Sequence, residues 1–154
     1  LIPNGCAVLD VAAGSGRHSR FFADRGHPVT AIDRDTSLLG SHPGVEVIQA
    51  DLEDGSPWPL RERTFGAVNV TNYLHRPLMP DLLGALAPGG VLLYETFMAG
   101  NERFGRPSRP EFLLKDGELL ELARGRLSVT AYEARLISDP RMAMVQRIAA
   151  RRPG

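Results

Sequence analysis

Cysteine is nearly missing from this 154-residue chain: Cys6 stands alone, so no intrachain disulfide can form and packing must hold the fold. Net charge is missing as well. Eighteen basic residues balance 18 acidic ones, and a pI near 7.1 lacks the dense basic stripe of a dedicated nucleic-acid binder, which counts against nucleic acid as a partner. Long apolar runs are also missing. Val91–Tyr94 is interrupted by Glu95, far short of the ~20 residues that span a bilayer, so no membrane insertion is expected. Leu1–Gly5 carries neither the basic region nor the apolar core of a secretion signal, and a reducing cytoplasm is the expected location. Four histidines and one cysteine are scattered without ligand spacing, so no metal is expected.

What is present is a globular composition, 43% hydrophobic, at a length typical of one domain, here read as residues 1–154. Charge is unevenly spread. Residues 1–100 hold 7 basic and 11 acidic groups, and residues 101–154 hold 11 and 7. Cys6–Ala12 reads as a buried strand running into the tight turn Ala13-Gly-Ser-Gly16, after which a helix should follow. His18, Phe21, Phe22 and Arg25 share one face of that helix at helical spacing, with His18 packing beside the two phenylalanines, and Gly26 ends it. Pro28–Asp33 is a second strand, Ser37–Gly40 a brief helix and Val45–Gln49 a third strand. Residues 51–65 are loop-like. Phe65–Val70 is a fourth strand; a helix opened by Pro80, with Leu82, Leu83 and Leu86 on its apolar face, is stopped by Pro88-Gly-Gly. Val91–Phe97 is the fifth strand, and Gly117–Ala123 a helix capped by Asp116. Leu127–Leu136 and Met142–Ala149, with Met142 and Met144 read as core, are joined by Ser138-Asp-Pro-Arg141. That link is too short for a crossover, so the two strands must be antiparallel. The expectation is an α/β doubly wound, mostly parallel sheet closed by an antiparallel hairpin, with ligands held beyond the carboxyl ends of the strands.

The residues at those ends point to a nucleoside carrying a positive charge. Gly14-Ser-Gly16 opens a helix whose amides can face an anionic group, yet Ser19 stands where a dinucleotide site wants its third glycine. Asp10 ends the first strand just before the turn, where a carboxylate opposes a diphosphate and favours an ammonium or sulfonium. Asp33 ends the second strand, placed to accept from both ribose hydroxyls, with Arg34 beside it. Asp51 and Leu52 follow the third, suited to an adenine amino group and ring. S-adenosylmethionine satisfies all three acids; a nicotinamide cofactor for an oxidoreductase shares only Asp33.

With these motifs in view, the chain resembles the class I S-adenosylmethionine-dependent methyltransferases, and within them small bacterial members related to tellurite-resistance methyltransferases. Val8-Leu-Asp-Val-Ala-Ala-Gly-Ser-Gly16 is similar to their glycine-rich first motif, Ala31-Ile-Asp33 to their ribose acid, Asp51-Leu52 to their adenine contact, and Leu86-Ala-Pro-Gly-Gly-Val91 to their turn into strand five. The resemblance implies a seven-stranded Rossmann-like sheet and a cofactor site that includes Asp10, Ala12, Ala13, Gly14, Gly16, Asp33, Arg34, Asp51, Leu52 and Thr71. Ala12 replaces a glycine and is tolerated there if its φ stays negative. Family members usually carry an N-terminal lid helix, and the expectation is that this chain is either incomplete or without that lid. No Asn-Pro-Pro-Tyr run follows strand four, which argues against exocyclic-amine methylation.

Tyr73 and His75, just past strand four, are the candidates to take a proton from a methyl acceptor; a structural role competes for each. Asn72 and Glu95 lie at the ligand edge, Glu95 either binding substrate or pairing with an arginine. Arg103 and Arg106, followed by Arg109, either hold an anionic small-molecule substrate or form a solvated loop. Two other functions stay open at this point, the nicotinamide oxidoreductase and a non-catalytic module that only binds S-adenosylmethionine. The oligomeric state is unknown from sequence.

Overall fold

The computed structural model describes residues 1–154. One sheet contains β1 (Val8–Val11), β2 (Val29–Asp33), β3 (Val45–Gln49), β4 (Phe65–Thr71), β5 (Leu86–Phe97), β6 (Ser128–Ile137) and β7 (Ala143–Arg151), in the order β3-β2-β1-β4-β5-β7-β6. The first five strands are parallel, and β7 runs antiparallel between β5 and β6. The order reverses at the β1–β4 junction, which opens a crevice at the carboxyl ends of those strands. No helix is long and apolar enough to cross a membrane.

Helices cover both sides of the sheet, unequally. α1 (Arg17–Ala23) packs on β1, β2 and β3; α2 (Met79–Gly84) and α3 (Glu118–Ala123) pack on the other side, against β5 and β7. The α2 and α3 side holds a cluster of 20 buried residues, among them Leu9, Ile32, Val68, Val70, Leu82, Leu92, Leu119 and Ile148. The cluster on the α1 side has four, Val8, Phe22, Val29 and Ala67. Burial of each Val, Leu, Ile, Phe or Met among them stabilises by roughly 1.5–3 kcal/mol, so most of the apolar stabilisation lies on one side.

Several local expectations are corrected. No helix forms over Ser37–Gly40. A turn there donates from the Leu39 amide to the Thr36 carbonyl (3.1 Å), because the Asp35 carboxylate takes the Ser37 amide (3.0 Å) in a competing turn. In α1 the buried residues are Ser19 and Phe22. Phe21 is exposed with the Arg25 guanidinium stacked 3.6 Å from its ring centre, and His18 is only half-buried. The Pro88 turn does not end α2; Leu86 already belongs to β5, pairing with Phe65 before an irregularity in the ladder. Met142 is exposed, whereas Met144 packs against the large cluster. α3 is not capped by Asp116. Gly117 precedes it at φ 70°, and the fully buried Gln146 accepts from the Leu119 amide (3.2 Å) while donating to the Lys115 carbonyl (2.7 Å). A side chain from β7 thus fastens the start of α3 to the sheet.

Candidate functional site

At the crevice, a cleft of about 250 Å³ is lined by Ala12, Asp33, Arg34, Ala50, Asp51, Leu52, Glu53, Asn72 and Tyr73. It therefore brings together the ends of β1, β2, β3 and β4, and with them Ala12, Asp33, Arg34, Asp51 and Leu52 of the expected cofactor set. A second pocket of about 210 Å³ shares Asp51, Leu52 and Glu53 and continues to Trp58, His75 and Asp81. The cleft presents three carboxylates and one guanidinium. Its field favours a positively charged ligand over a multiply charged anion.

Two residues other than glycine take left-handed backbone conformations, Ala12 at φ 53° and Asn72 at φ 55°, and both line the cleft. The negative φ expected of Ala12 is not observed. For an alanine this conformation costs about 1 kcal/mol, whereas asparagine adopts it readily. Strain of this kind collects where the fold overdetermines the backbone around a ligand. The adjoining turn is internally bonded. Ala13 donates to the Ile32 carbonyl (3.1 Å), Gly16 to the Ala13 carbonyl (2.9 Å), and Gly14 to Asp33 Oδ2 (2.8 Å). The amides of Gly14 and Gly16, expected to face a ligand anion, are thus already engaged. Gly16, at φ 80°, also lies under Leu39, whose Cδ2 would sit 2.7 Å from an added Cβ.

Asp10 is placed differently from the expectation. Its side chain is 2% exposed and turns beneath α1, where Oδ2 accepts from Ser19 Oγ (2.6 Å) and Oδ1 from Asn69 Nδ2 (3.0 Å). It joins β1, α1 and β4 behind the glycine turn. The same bond explains why Ser19 is buried. Asp33, by contrast, stays at the rim, with Oδ1 accepting from the Asp35 amide (3.0 Å). Asp51 closes a similar turn with the Glu53 amide (2.9 Å).

Glu53 is the residue that the sequence reading missed. Its Oε2 accepts from the Tyr73 hydroxyl (3.2 Å) and its Oε1 lies 3.4 Å from His75 Nδ1. Burial first, and then the Glu53 carboxylate, push the Tyr73 phenol well above its ordinary pKa. In this arrangement the Tyr73 hydroxyl donates to the Glu53 carboxylate. Its backbone is held by the buried Tyr94, whose hydroxyl donates to the Tyr73 carbonyl (2.7 Å). The signal available in the sequence was an acid two residues after Asp51, but only the loop geometry shows that it faces Tyr73 and His75.

Beyond β4 and β5 the expected substrate residues divide. Thr71 pairs with Glu95 at the strand ends, and Asn72 and Tyr73, not Thr71, form the cleft wall there. Glu95 pairs with Arg147 Nε (2.6 Å), and Arg147 also reaches Glu133 (2.6 Å), so a row of alternating charges crosses β5, β7 and β6. Arg103 and Arg106 are exposed and line neither pocket. Their loop leaves β5 toward β7, pinned by the buried Asn101, which accepts from the Met144 amide (3.0 Å) and donates to the Pro107 carbonyl (2.9 Å). Arg109 is taken up by Glu111 (2.8 Å). Arg76 fastens the far end of this loop through a two-pronged pair with Glu118 (2.8 and 2.9 Å) and a bond to the Leu113 carbonyl (2.8 Å).

Comparison with known proteins agrees with this geometry. Residues 9–94 match a family described as "Methyltransferase domain". Among curated proteins, the trans-aconitate 2-methyltransferase of Paracidovorax citrulli is 35% identical over 94 residues, covering 55% of this chain and 36% of that protein. Among solved structures, TehB from Haemophilus influenzae superposes with a TM-score of 0.74 at 17% identity, over 96% of this chain and 57% of that one. An S-adenosylmethionine-dependent methyltransferase from Mesorhizobium loti gives 0.74 at 19% identity, over 98% and 94%. These superpositions show the fold. The chain spans little more than a third of the length of the curated relative.

Proposed function

The chain belongs to the methyltransferase domain family, and from that premise we propose that it transfers the methyl group of S-adenosylmethionine to a small-molecule acceptor. The observation that carries this reading is the convergence of Asp33, Asp51 and Leu52 on one acidic cleft whose floor and wall are the left-handed Ala12 and Asn72. Asp33 is placed to take the ribose hydroxyls, and Asp51 with Leu52 the adenine. The cofactor supplies a methyl group activated by a sulfonium. The protein's work is to orient the acceptor and exclude water.

Asn72 and Tyr73 present a fixed wall to the acceptor side of the cleft. His75, next to Glu53, is the residue proposed to receive a proton when the acceptor is a hydroxyl or a protonated amine. The raised phenol pKa of Tyr73 favours His75 over Tyr73 for that task. A relative named for trans-aconitate, a small organic acid, supports a metabolite-sized acceptor. The acidic field of the cleft disfavours the diphosphate of a nicotinamide cofactor.

Calorimetry with S-adenosylmethionine, S-adenosylhomocysteine and NAD tests the binding, and transfer of a labelled methyl group to a panel of metabolites tests the chemistry. We expect the first two compounds to bind and NAD not to. Asp33→Ala should weaken binding by about 1–3 kcal/mol, the cost of losing charge-assisted hydrogen bonds. Binding of NAD in place of the sulfonium compound overturns the reading. Tight binding with no transfer to any acceptor favours a module that only holds the cofactor.

A further inference from the structure

The outermost strand of the sheet, β6, has no neighbour on its far side, and ten residues of backbone lie along that edge. Exposed edges of this length are templates for pairing with another chain, and proteins commonly protect them with charges of one sign, bulges or covering loops. Here the ladder with β7 is irregular between Val129 and Ala131, leaving Ala131–Ile137 as a regular seven-residue run. Within that run Glu133 and Arg135 lie two residues apart, hence on one side of the sheet, while Tyr132, Ala134 and Leu136 lie on the other. Leu136 is 41% exposed, and the Arg135 side chain is 59% exposed.

We propose that β6 pairs antiparallel with β6 of a second copy about a two-fold axis at Ala134, continuing the sheet across the dimer. The register follows from charge. An axis at Ala134 sets Glu133 opposite Arg135 of the second copy, twice by symmetry, with Tyr132 opposite Leu136 and Ala131 opposite Ile137. Moving the axis one residue back puts Glu133 against Glu133, and one residue forward puts Arg135 against Arg135. Both neighbouring registers that keep like sides together are therefore opposed by like charges, and the intermediate one is favoured. Glu133 is ready for this second partner. Its Oε1 is held by Arg147 at 2.6 Å, whereas Oε2 has only Arg135 of its own strand, 3.8 Å away. The intrachain pair orients the carboxylate and leaves one oxygen for the neighbour.

Light scattering on the full chain, and single cysteines placed along β6 in a Cys6→Ala background, test the pairing. The wild type should show twice its 16.8 kDa mass at high concentration. Arg135→Glu, which sets glutamates opposite each other, should raise the dimer dissociation constant at least roughly tenfold. Ala134→Lys changes an exposed position that meets only its own copy, so it should give a folded monomer by circular dichroism. Under mild oxidation Ala134→Cys should link to itself, since opposed residues place their Cα atoms about 4.5–5.5 Å apart, within disulfide range. Tyr132→Cys and Leu136→Cys should link to each other when mixed and not to themselves. A wild-type protein that stays monomeric at all concentrations overturns the proposal. So does a dimer that survives Arg135→Glu unchanged, or cysteines that link equally well at all three positions.

Discussion

Replacing Asp10 separates two readings of the first strand. If the carboxylate is a structural joint, as its bonds to Ser19 and Asn69 indicate, Asp10→Ala leaves a buried hydroxyl and a buried amide without their acceptor. Each lost hydrogen bond to a charged group costs about 1.5–3 kcal/mol, so the variant should lose about 3–6 kcal/mol. At roughly 2–4 °C per kcal/mol for a chain of this size, the melting temperature should fall by roughly 6–24 °C. Asp10→Asn preserves the shape. The Asn69 amide can turn to accept from it, so only the charge assistance is lost and the cost should be about 1–2 kcal/mol. Urea unfolding of both variants measures these values, and calorimetry with S-adenosylmethionine measures the ligand side. Asp10→Asn should change that affinity only a few-fold, because the side chain is shielded from the cleft. An Asp10→Asn protein as stable as the wild type, but binding S-adenosylmethionine at least roughly 30-fold more weakly, would refute the structural reading and restore a direct contact with the ammonium.

Two further outcomes follow from the geometry. Gly16→Ala should destabilise more than Gly14→Ala, by about 1–3 kcal/mol against about 1 kcal/mol, since both take positive φ but only Gly16 has Leu39 pressed against it; chemical denaturation of the pair checks the order. For Glu118, burial alone would raise the pKa, but the Arg76 guanidinium and the Lys115 amide hold it below the ordinary carboxylate value. A depressed folded pKa contributes stability that is present above the unfolded value, roughly pH 4.3, and is lost as pH falls through the folded one. Protection factors of amides in residues 98–117, corrected for the intrinsic exchange rate at each pH, should therefore fall on acidification in the wild type, whereas Glu118→Gln should show low protection already at neutral pH and little further change.

The alternation of strands and helices was legible because buried parallel strands are short apolar runs and the glycine turn between the first strand and helix is local. Asp33, Asp51 and Leu52 were legible for the same reason, as each directly follows such a run. The direction of Asp10 was not. Period-two alternation assigns a side of the sheet, but its partner Asn69 lies 59 residues away and only the assembled β1–β4 pair brings them together. The cap of α3 was hidden likewise, because Gln146 arrives from β7. Ser37–Gly40 misled because its helical composition is outcompeted by side-chain turns. The direction in which Arg103 and Arg106 leave the sheet was not legible, because it is set by the buried Asn101 and not by charge.

The imbalance between the two sides of the sheet has a dynamic corollary. Because the buried seam under α1 is small, Val8, Phe22, Val29 and Ala67 bordered by Cys6, Ala23 and Val45, that helix and the glycine turn can open, with loss of the Asp10–Ser19 bond, while the larger nucleus stays intact. A nucleoside seated across Ala12, Asp33 and Asn72 would bind only the closed form. The amides of residues 12–26 should then slow their exchange on ligand addition in proportion to affinity, while those of β4 and β5 keep the rate set by global unfolding.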